Sequence, residues 1–237
     1  MQPDFRATLY GSYVSTFKGQ RSAPPSTVWW DHKYLPLLNG LEPDAPILEL
    51  GCGDGHFLEY LATRGFTLAS GVDLSEEQVA LARRRGVRAE CGDALNVLAQ
   101  QANTWRAVIA VDVLEHLTRD ELIALAHGMY AALQPRGRLF VQTANGAGLF
   151  PGQVIYGDLT HQTVFTPESL SQLLTHAGFV NLRFYETGPI PIRLRGRLNV
   201  ALWSAIKWLA NGARYVETGK RQAIWTENFI CAAVKPG

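Results

Sequence analysis

The chain alternates between short apolar runs and segments whose apolar residues recur every three or four positions. The runs predict buried β-strands, and the spaced pattern predicts helices that cover them. The predicted strands cover residues 47–50, 67–72, 87–91, 107–111, 138–143, 180–186 and 226–234. The predicted helices cover residues 55–64, 75–85, 94–101, 119–133, 166–176 and 196–212. Strand–helix alternation with short connections predicts an α/β fold with a doubly wound, mostly parallel sheet.

A glycine-rich turn follows the first predicted strand, in the segment Glu49-Leu50-Gly51-Cys52-Gly53-Asp54-Gly55. Glycines there let the backbone approach a ligand closely, but a dinucleotide fingerprint would need a further glycine where His56 stands. Asp73 ends the second strand, where a carboxylate can accept two ribose hydroxyls. Asp93 ends the third strand, where a carboxylate can accept from an adenine amino group and would repel phosphates. The pattern predicts a positively charged, adenosine-containing ligand at the carboxyl edge of the sheet.

Five segments resemble, in order, the motifs of class I S-adenosylmethionine-dependent methyltransferases: ELGCGDG, GVDLS, CGDA, VDVLEHL and LQPRGRLFVQT. The resemblance covers residues 46–186. It implies a Rossmann-like methyltransferase fold of seven strands, of which the last is antiparallel. It also implies S-adenosyl-L-methionine as the cofactor and S-adenosyl-L-homocysteine as the product.

The same resemblance assigns cofactor contacts to residues at the ends of four strands. Those for the methionine moiety are Glu49, Gly51, Gly53 and Gly55. Those for the ribose are Asp73 and Leu74, those for the adenine are Asp93 and Ala94, and those beside the sulfonium are Val111 and Asp112.

The first candidate for a catalytic group is His116, in the segment Asp112-Val113-Leu114-Glu115-His116. Methyl transfer to an oxygen needs a base that removes the hydroxyl proton, and His116 follows the fourth strand near the expected methyl group. The alternative is that Glu115 and His116 only cap and orient the local turn. Similar clusters occur in quinone-type O-methyltransferases, but one acidic pair and one histidine are too few to assign a metal.

The second candidate group lies in the segment from Tyr156 to His161, after a glycine-rich loop. Asp158 and His161 are three residues apart, so we expect Asp158 to orient the His161 imidazole as the base. The alternative is that His161 caps the next helix or pairs with another carboxylate. The segment from Tyr156 to Phe179 resembles methyltransferases of surface-polysaccharide and glycolipid biosynthesis, which implies a sugar hydroxyl as the acceptor.

Two segments lie outside the regular alternation. Residues 1–45 form a lead-in to a methyltransferase domain at residues 46–237. The lead-in contains four aromatic residues that predict either a lid over the cofactor or packing on the outer sheet face, namely Tyr10, Tyr13, Trp29 and Trp30.

The second segment is a basic insertion at residues 187–222. It holds seven basic residues against the single acid Glu217, a balance of +6, so the rest of the chain carries −5 of the total of +1. Its predicted helix at 196–212 is amphipathic. It predicts peripheral contact with an anionic membrane or a lipid-linked acceptor, whereas a dimer contact and a lid on the protein's own core are the alternatives.

Composition narrows the remaining classes. With 47% hydrophobic and 18% charged residues, the chain is typical of a globular protein, and its net charge of +1 gives no basic field for nucleic acid. The cysteines, Cys52, Cys91 and Cys231, form no CxxC pair, which argues against a zinc site and a disulfide framework. The first residues lack the apolar region of a signal peptide. We therefore expect a cytoplasmic protein, with membrane contact limited to the inner face.

The leading hypothesis is an S-adenosylmethionine-dependent O-methyltransferase that acts on a small-molecule or glycan hydroxyl, first of all a sugar of a polysaccharide or glycolipid. One alternative is an O-methyltransferase of a phenol or quinone headgroup. The alternative from another class is a protein that binds the cofactor without turnover, against which the candidate bases His116 and His161 argue. The oligomeric state does not follow from the sequence.

Overall fold

The computed structural model describes residues 26–237, so Tyr10 and Tyr13 of the predicted lid lie outside the described residues. The strands are β1 (Ile47–Leu50), β2 (Ala69–Asp73), β3 (Arg88–Cys91), β4 (Trp105–Val111), β5 (Leu133–Ala144), β6 (Val180–Glu186) and β7 (Asn228–Val234). The helices are α1 (Thr27–Lys33), α2 (Leu35–Leu38), α3 (His56–Thr63), α4 (Glu76–Arg84), α5 (Ala94–Ala99), α6 (Arg119–Ala132), α7 (Pro151–Tyr156), α8 (Pro167–His176) and α9 (Arg193–Thr218). A short 3-10 helix covers Leu114–His116.

The seven strands form one sheet in the order β3-β2-β1-β4-β5-β7-β6. β7 is antiparallel to both of its neighbours, while β1 to β5 pair in parallel. This confirms the predicted doubly wound sheet with an antiparallel last strand. Because β1 to β5 run in one direction, their last residues lie along one edge, called here the carboxyl edge. Those residues are Leu50, Asp73, Cys91, Val111 and Ala144.

Helices cover the sheet on both faces, as the apolar runs of the strands require. One face packs against α5, α6 and α8, which contribute the buried residues Leu98, Leu125 and Leu170. The other face packs against α1, α2 and α3, with Tyr34 and Leu61 among the buried residues. The strands lie between the two layers, and the loops that follow their carboxyl ends lie at one edge of the sheet.

Two helices differ from the prediction. α9 spans Arg193–Thr218 rather than 196–212, because Gly212 is accommodated inside the helix and the chain leaves it only at Gly219, whose φ is +68°. α7 lies in a stretch that the sequence predicts as irregular, and Pro151 at its first turn starts it. Among residues 26–237, no helix combines the length and the apolar character needed to cross a membrane.

The described part of the lead-in packs on the outer face of the sheet. Trp30 is buried, and its ring centroid lies 5.5 Å from that of Phe57 and 5.1 Å from that of Tyr60. Trp29 is half-buried against the same cluster. For Trp30, packing on the outer face is thus the correct alternative, because α1 places its ring against α3 and away from solvent.

We expect Trp30→Ala to lower the free energy of unfolding by about 3–5 kcal/mol, because it leaves a cavity in a packed aromatic cluster. Trp29→Ala, the same change at a half-buried neighbour, should lower it less. Urea denaturation of both variants measures the difference. If Trp30→Ala instead weakened binding of S-adenosylmethionine while leaving the urea midpoint unchanged, Trp30 would be part of a lid.

Candidate active site

The glycine-rich turn after β1 has a shape that only glycine adopts without strain. The φ angles of Gly51, Gly53 and Gly55 are +65°, +55° and +81°. A Cβ atom on Gly51 would lie 2.5 Å from Cγ2 of Val113, in the loop after β4. Three positions in the left-handed region therefore form a tight turn at the carboxyl edge, packed directly against the neighbouring loop.

Asp73, at the end of β2, holds this turn in place. One of its carboxylate oxygens accepts a hydrogen bond from the backbone N–H of Gly53 at 2.8 Å, and the other accepts from the N–H of Ser75 at 2.8 Å. Between these contacts, the side chain of Leu74 is exposed. Asp73 thus connects the glycine-rich turn to the start of α4, a structural task that the sequence did not predict.

Asp93 follows β3 and begins α5. Its Oδ1 atom accepts hydrogen bonds from the N–H groups of Leu95 at 2.8 Å and Asn96 at 3.2 Å, so it is the N-cap of the helix. Ala94 is the first residue of α5. Both bonds use the same oxygen, which means that capping does not occupy Oδ2.

Asp112 follows β4 with a φ of +54°, a left-handed conformation that aspartate tolerates better than most residues. The Gln142 side-chain amide donates to both of its carboxylate oxygens, at 3.1 and 3.3 Å. The Tyr34 hydroxyl in turn donates to Oε1 of Gln142 at 2.8 Å. The lead-in therefore supplies the buried Tyr34, which positions Asp112 through Gln142. Val111 precedes Asp112 at the end of β4, and the buried Glu49 lies on the adjacent strand β1, where it pairs with Ile109.

Hydrogen bonds join the two candidate catalytic segments, one containing His116 and the other His161. The backbone carbonyl of Glu115 accepts hydrogen bonds from the N–H groups of Gln162 at 2.7 Å and Thr163 at 3.0 Å. The Thr163 hydroxyl donates to the carbonyl of Leu117 at 2.8 Å. The 3-10 helix after β4 and the segment after α7 consequently form one wall, and His116 and His161 meet in it with ring centroids 4.8 Å apart.

A hydrogen-bonded chain runs from Asp158 through Thr160 to His116. The Thr160 hydroxyl donates to Oδ1 of Asp158 at 2.7 Å and lies 2.8 Å from Nδ1 of His116. A hydroxyl has one proton to donate, so its oxygen must accept from Nδ1 of His116. Neutral His116 is therefore protonated at Nδ1.

His161 has the same tautomer for a different reason. Its Nδ1 atom lies 3.1 Å from the carbonyl oxygen of Ile155, which can only accept a hydrogen bond. The sequence predicts a direct pair between Asp158 and His161, whereas in the structure Oδ1 of Asp158 accepts hydrogen bonds from the N–H and the hydroxyl of Thr160. Asp158 thus orients His116, and a main-chain carbonyl orients His161.

The pKa values in this wall favour neutral groups. Burial and the nearby Asp112 raise the pKa of Glu115 to about 8, although the Thr143 hydroxyl donates to its Oε2 atom at 2.9 Å. Burial and the neighbouring His161 lower the pKa of His116 to about 4. Near pH 7, His116 is therefore a neutral imidazole.

The wall also has the composition of a cation site. Glu115, His116 and His161 each offer one ligand atom, and these atoms lie within 4.8 Å of one another. Metal-binding histidines typically donate their second N–H to a carbonyl, hydroxyl or carboxylate, and both imidazoles do so here. These three side chains could hold a divalent cation. From the sequence, only an acidic pair and one histidine were candidate ligands. The structure adds His161 to them.

Thr160 was missed from the sequence, although it stands between the candidates Asp158 and His161. We expect Thr160→Val, which removes the hydroxyl and keeps the shape, to slow methyl transfer by roughly tenfold or more. Thr160→Ser should restore most of the rate, because serine offers the same hydroxyl. Steady-state kinetics should place the loss in kcat rather than in the KM for S-adenosylmethionine. Equal rates for the valine and serine variants would mean that the hydroxyl does not position His116.

The comparisons with known proteins identify the class. A family model described as a methyltransferase domain matches residues 28–183, and the chain belongs to that family. A ubiquinone biosynthesis O-methyltransferase from Xylella fastidiosa (strain 9a5c) is similar, with 30% identity over 185 residues, which cover 63% of this chain and 72% of the relative.

Solved structures show the same fold. A SAM-dependent methyltransferase from Archaeoglobus fulgidus is similar, with a TM-score of 0.65, 19% identity and coverage of 98% of both chains. Phosphoethanolamine N-methyltransferase 2 of Haemonchus contortus, in complex with S-adenosyl-L-methionine, is similar with a TM-score of 0.61 and 15% identity, covering 96% of this chain and 60% of that one. The protein is an S-adenosylmethionine-dependent methyltransferase.

Proposed function

We propose that the protein methylates a hydroxyl oxygen of a small-molecule or glycan acceptor. The observation that carries this proposal is the pair of imidazoles, His116 and His161, which are both protonated at Nδ1 and meet at the carboxyl edge. In the reaction the bond between the methyl carbon and the sulfonium sulfur breaks, and a bond to the acceptor oxygen forms. The hydroxyl proton passes to an imidazole, and S-adenosyl-L-homocysteine leaves.

The proposed cofactor site follows the carboxyl edge from β1 to β4. The backbone of the glycine-rich turn would lie against the methionine moiety near the buried Glu49, while Asp73 and the exposed Leu74 would face the ribose. Asp93 uses Oδ1 to cap α5 and would offer Oδ2 to the adenine amino group. Val111 and Asp112 would flank the sulfonium, whose positive charge the aspartate favours. This placement is supported by the hydrogen bond from the Gly53 N–H to the Asp73 carboxylate, which joins the proposed ribose contact to the proposed methionine contact.

We assign the base role to His161, with His116 as its oriented neighbour. The Ile155 carbonyl fixes the Nδ1 proton of His161, so the lone pair of Nε2 is the atom that would take the acceptor proton. Asp158 acts through Thr160 on His116, which holds the second imidazole in a single tautomer. The lowered pKa of His116 makes it a weaker base than an ordinary histidine, which favours His161 for the base role.

A second way of activating the acceptor is favoured by the ligand set of Glu115, His116 and His161. A divalent cation bound there would polarise the acceptor hydroxyl and lower its pKa. Calorimetric titration of the protein with Mg²⁺, Mn²⁺ and Zn²⁺, repeated for Glu115→Gln, tests this role. Binding that disappears in the variant would support it, and transfer that persists in a chelator would assign proton removal to the imidazole alone.

Two acceptor classes compete for this site, and the first is a sugar of a polysaccharide or glycolipid. It is supported by the resemblance of the segment from Tyr156 to Phe179, whose first residues, up to Thr163, form part of the wall beside His116. The second is a phenol or quinone headgroup, which the name of the Xylella fastidiosa relative supports. Both classes present a hydroxyl whose proton must be removed.

A panel of nucleotide sugars, glycolipids and catechols, assayed with labelled S-adenosylmethionine, separates the classes. We expect methylation of a glycolipid or nucleotide sugar, and selective methylation of catechols would replace that acceptor class. The proposed location is the cytoplasm, which the three free thiols of Cys52, Cys91 and Cys231 support. Contact with the inner face of a membrane through residues 196–212 would bring a lipid-linked acceptor to this site.

A further inference from the structure

Helix α9 lies on the surface of the protein with its apolar side towards solvent. None of the residues of this 26-residue helix is buried. Large apolar side chains share the face that points to solvent; these are Leu194, Leu198, Leu202, Trp208, Leu209 and Val216, called here the apolar stripe. Leu194 is 84% exposed and Val216 is 88% exposed. A helix that only covered the protein's own core would turn this stripe inward.

The side of α9 that faces the rest of the protein carries the half-buried Trp203, which lies next to Gly188, and makes polar contacts. Nζ of Lys207 lies 2.5 Å from Oε2 of Glu186, at the end of β6. The Asn211 amide donates to the carbonyl of Gln222 at 3.1 Å and accepts from its N–H at 2.8 Å. At 3.6 residues per turn, Lys207 and Asn211 lie roughly opposite Leu198 and Val216. These contacts fix the orientation of the helix and leave the apolar stripe uncovered.

Basic residues border the apolar stripe. Arg195 and Arg197 lie on its two sides near the start of α9. Lys220 and Arg221 follow its last turn, and the Arg221 guanidinium lies 5.9 Å from the ring centroid of Tyr215. The insertion at residues 187–222 carries a net charge of +6. An apolar stripe with a cationic border is complementary to an anionic bilayer surface, where leucine side chains enter the acyl boundary and arginines meet phosphates.

The position of α9 relates this surface to the acceptor site. β6 leads into the helix and β7 follows it, and Asn228 at the start of β7 pairs with Ala144 at the carboxyl edge. The Gln222 side chain donates to the carbonyl of Ala147 at 2.6 Å, in the loop that leads to α7. Two further exposed apolar residues, Tyr156 and Leu159, lie in the segment just before His161. The anchoring helix and the acceptor wall are therefore joined at one edge of the sheet.

We propose that the apolar stripe of α9 docks on the surface of an anionic bilayer, and that this contact presents the carboxyl edge to a lipid-linked acceptor. The docking is inferred from the helix alone, whereas the presentation of a lipid-linked acceptor rests on the proposed function. Docking holds the axis of α9 parallel to the bilayer surface. An acceptor hydroxyl that protrudes from the headgroups then reaches the wall of His116 and His161 while its lipid stays in the bilayer.

Flotation of the full chain on vesicles tests the docking. The wild type should float with vesicles of phosphatidylcholine and phosphatidylglycerol, much less with phosphatidylcholine alone, and less after salt is added. Replacing Leu198 and Leu209 together by glutamate should lower the bound fraction by about tenfold or more. The control is Ile123→Glu, a similarly exposed apolar residue on α6, which should float as the wild type does.

The outcomes separate docking from catalysis. Binding of S-adenosylmethionine and methylation of a water-soluble acceptor should be unchanged in the double variant, because neither leucine lies in the site. Equal flotation of the double variant and the wild type would overturn the proposal. So would a dimer in sedimentation that dissociates in the double variant without any wild-type flotation, since the apolar stripe would then be a subunit contact. If the wild type floated as expected but methylated no acceptor hydroxyl, the result would count against the proposed function and not against the docking.

Discussion

His161→Ala is expected to lower the rate of methyl transfer by about 10²- to 10⁴-fold, the usual contribution of a positioned base. Binding of S-adenosylmethionine should stay unchanged, because His161 lies in the wall after α7 and outside the glycine-rich turn. Its Nδ1 atom is held by the Ile155 carbonyl, so the variant loses an oriented imidazole without losing a buried ion pair. Initial rates with labelled cofactor, together with calorimetry of cofactor binding, measure the two effects separately.

A matched control is His176→Ala. His176 is exposed on α8, and its ring centroid lies 5.5 Å from that of His127, so the same truncation removes a paired imidazole that is not part of the wall. This variant should retain the wild-type rate. If His161→Ala transferred the methyl group as fast as this control, His161 would have no role as a base.

Gly51→Ala is expected to weaken binding of S-adenosylmethionine by about tenfold or more and to destabilise the fold. Alanine in the left-handed region costs about 1–2 kcal/mol. At φ +65°, the added Cβ would also lie 2.5 Å from Cγ2 of Val113, and such overpacking costs about 1–3 kcal/mol more. Relief requires the turn or the loop of Asp112 to move, and both border the proposed cofactor site. Calorimetry and urea denaturation of the variant measure the two losses.

Gly40→Ala separates strain from steric overlap. Gly40 has a φ of +80°, and nothing lies within 4 Å of the position that its Cβ would take. It should therefore show the backbone penalty alone and bind the cofactor normally. Equal cofactor affinity in Gly51→Ala and Gly40→Ala would contradict the placement of the methionine moiety at the turn.

The sheet was predictable because each of its determinants is local. An apolar run followed by a glycine or an acid marks a strand end, and the carboxyl ends of parallel strands meet at one edge. The sequence alone therefore suffices to place the glycine-rich turn and Asp73 together, and their hydrogen bond links them directly. Helix ends were harder to predict. Gly212 lies inside α9, because one glycine costs a long helix only about 1 kcal/mol.

The catalytic wall could be predicted only in part, because its contacts join distant residues. His116 and Thr160 are 44 positions apart, and no periodicity relates them. Proximity in the sequence suggested that Asp158 serves His161, but an aspartate two residues before a threonine prefers to accept from that residue's backbone and hydroxyl. Trp30 posed a similar problem, since an aromatic residue suits a lid as well as a core until its neighbours are known.

The measurement that tests the central claim most directly is transfer of a deuterated methyl group from S-adenosylmethionine to an acceptor hydroxyl. We predict that mass spectrometry and NMR will show a new ether linkage, O–CD₃, together with an equal amount of S-adenosyl-L-homocysteine, and that His161→Ala will nearly abolish both. The account would be contradicted by a protein that binds the cofactor yet places the label on nitrogen or on no acceptor of the panel.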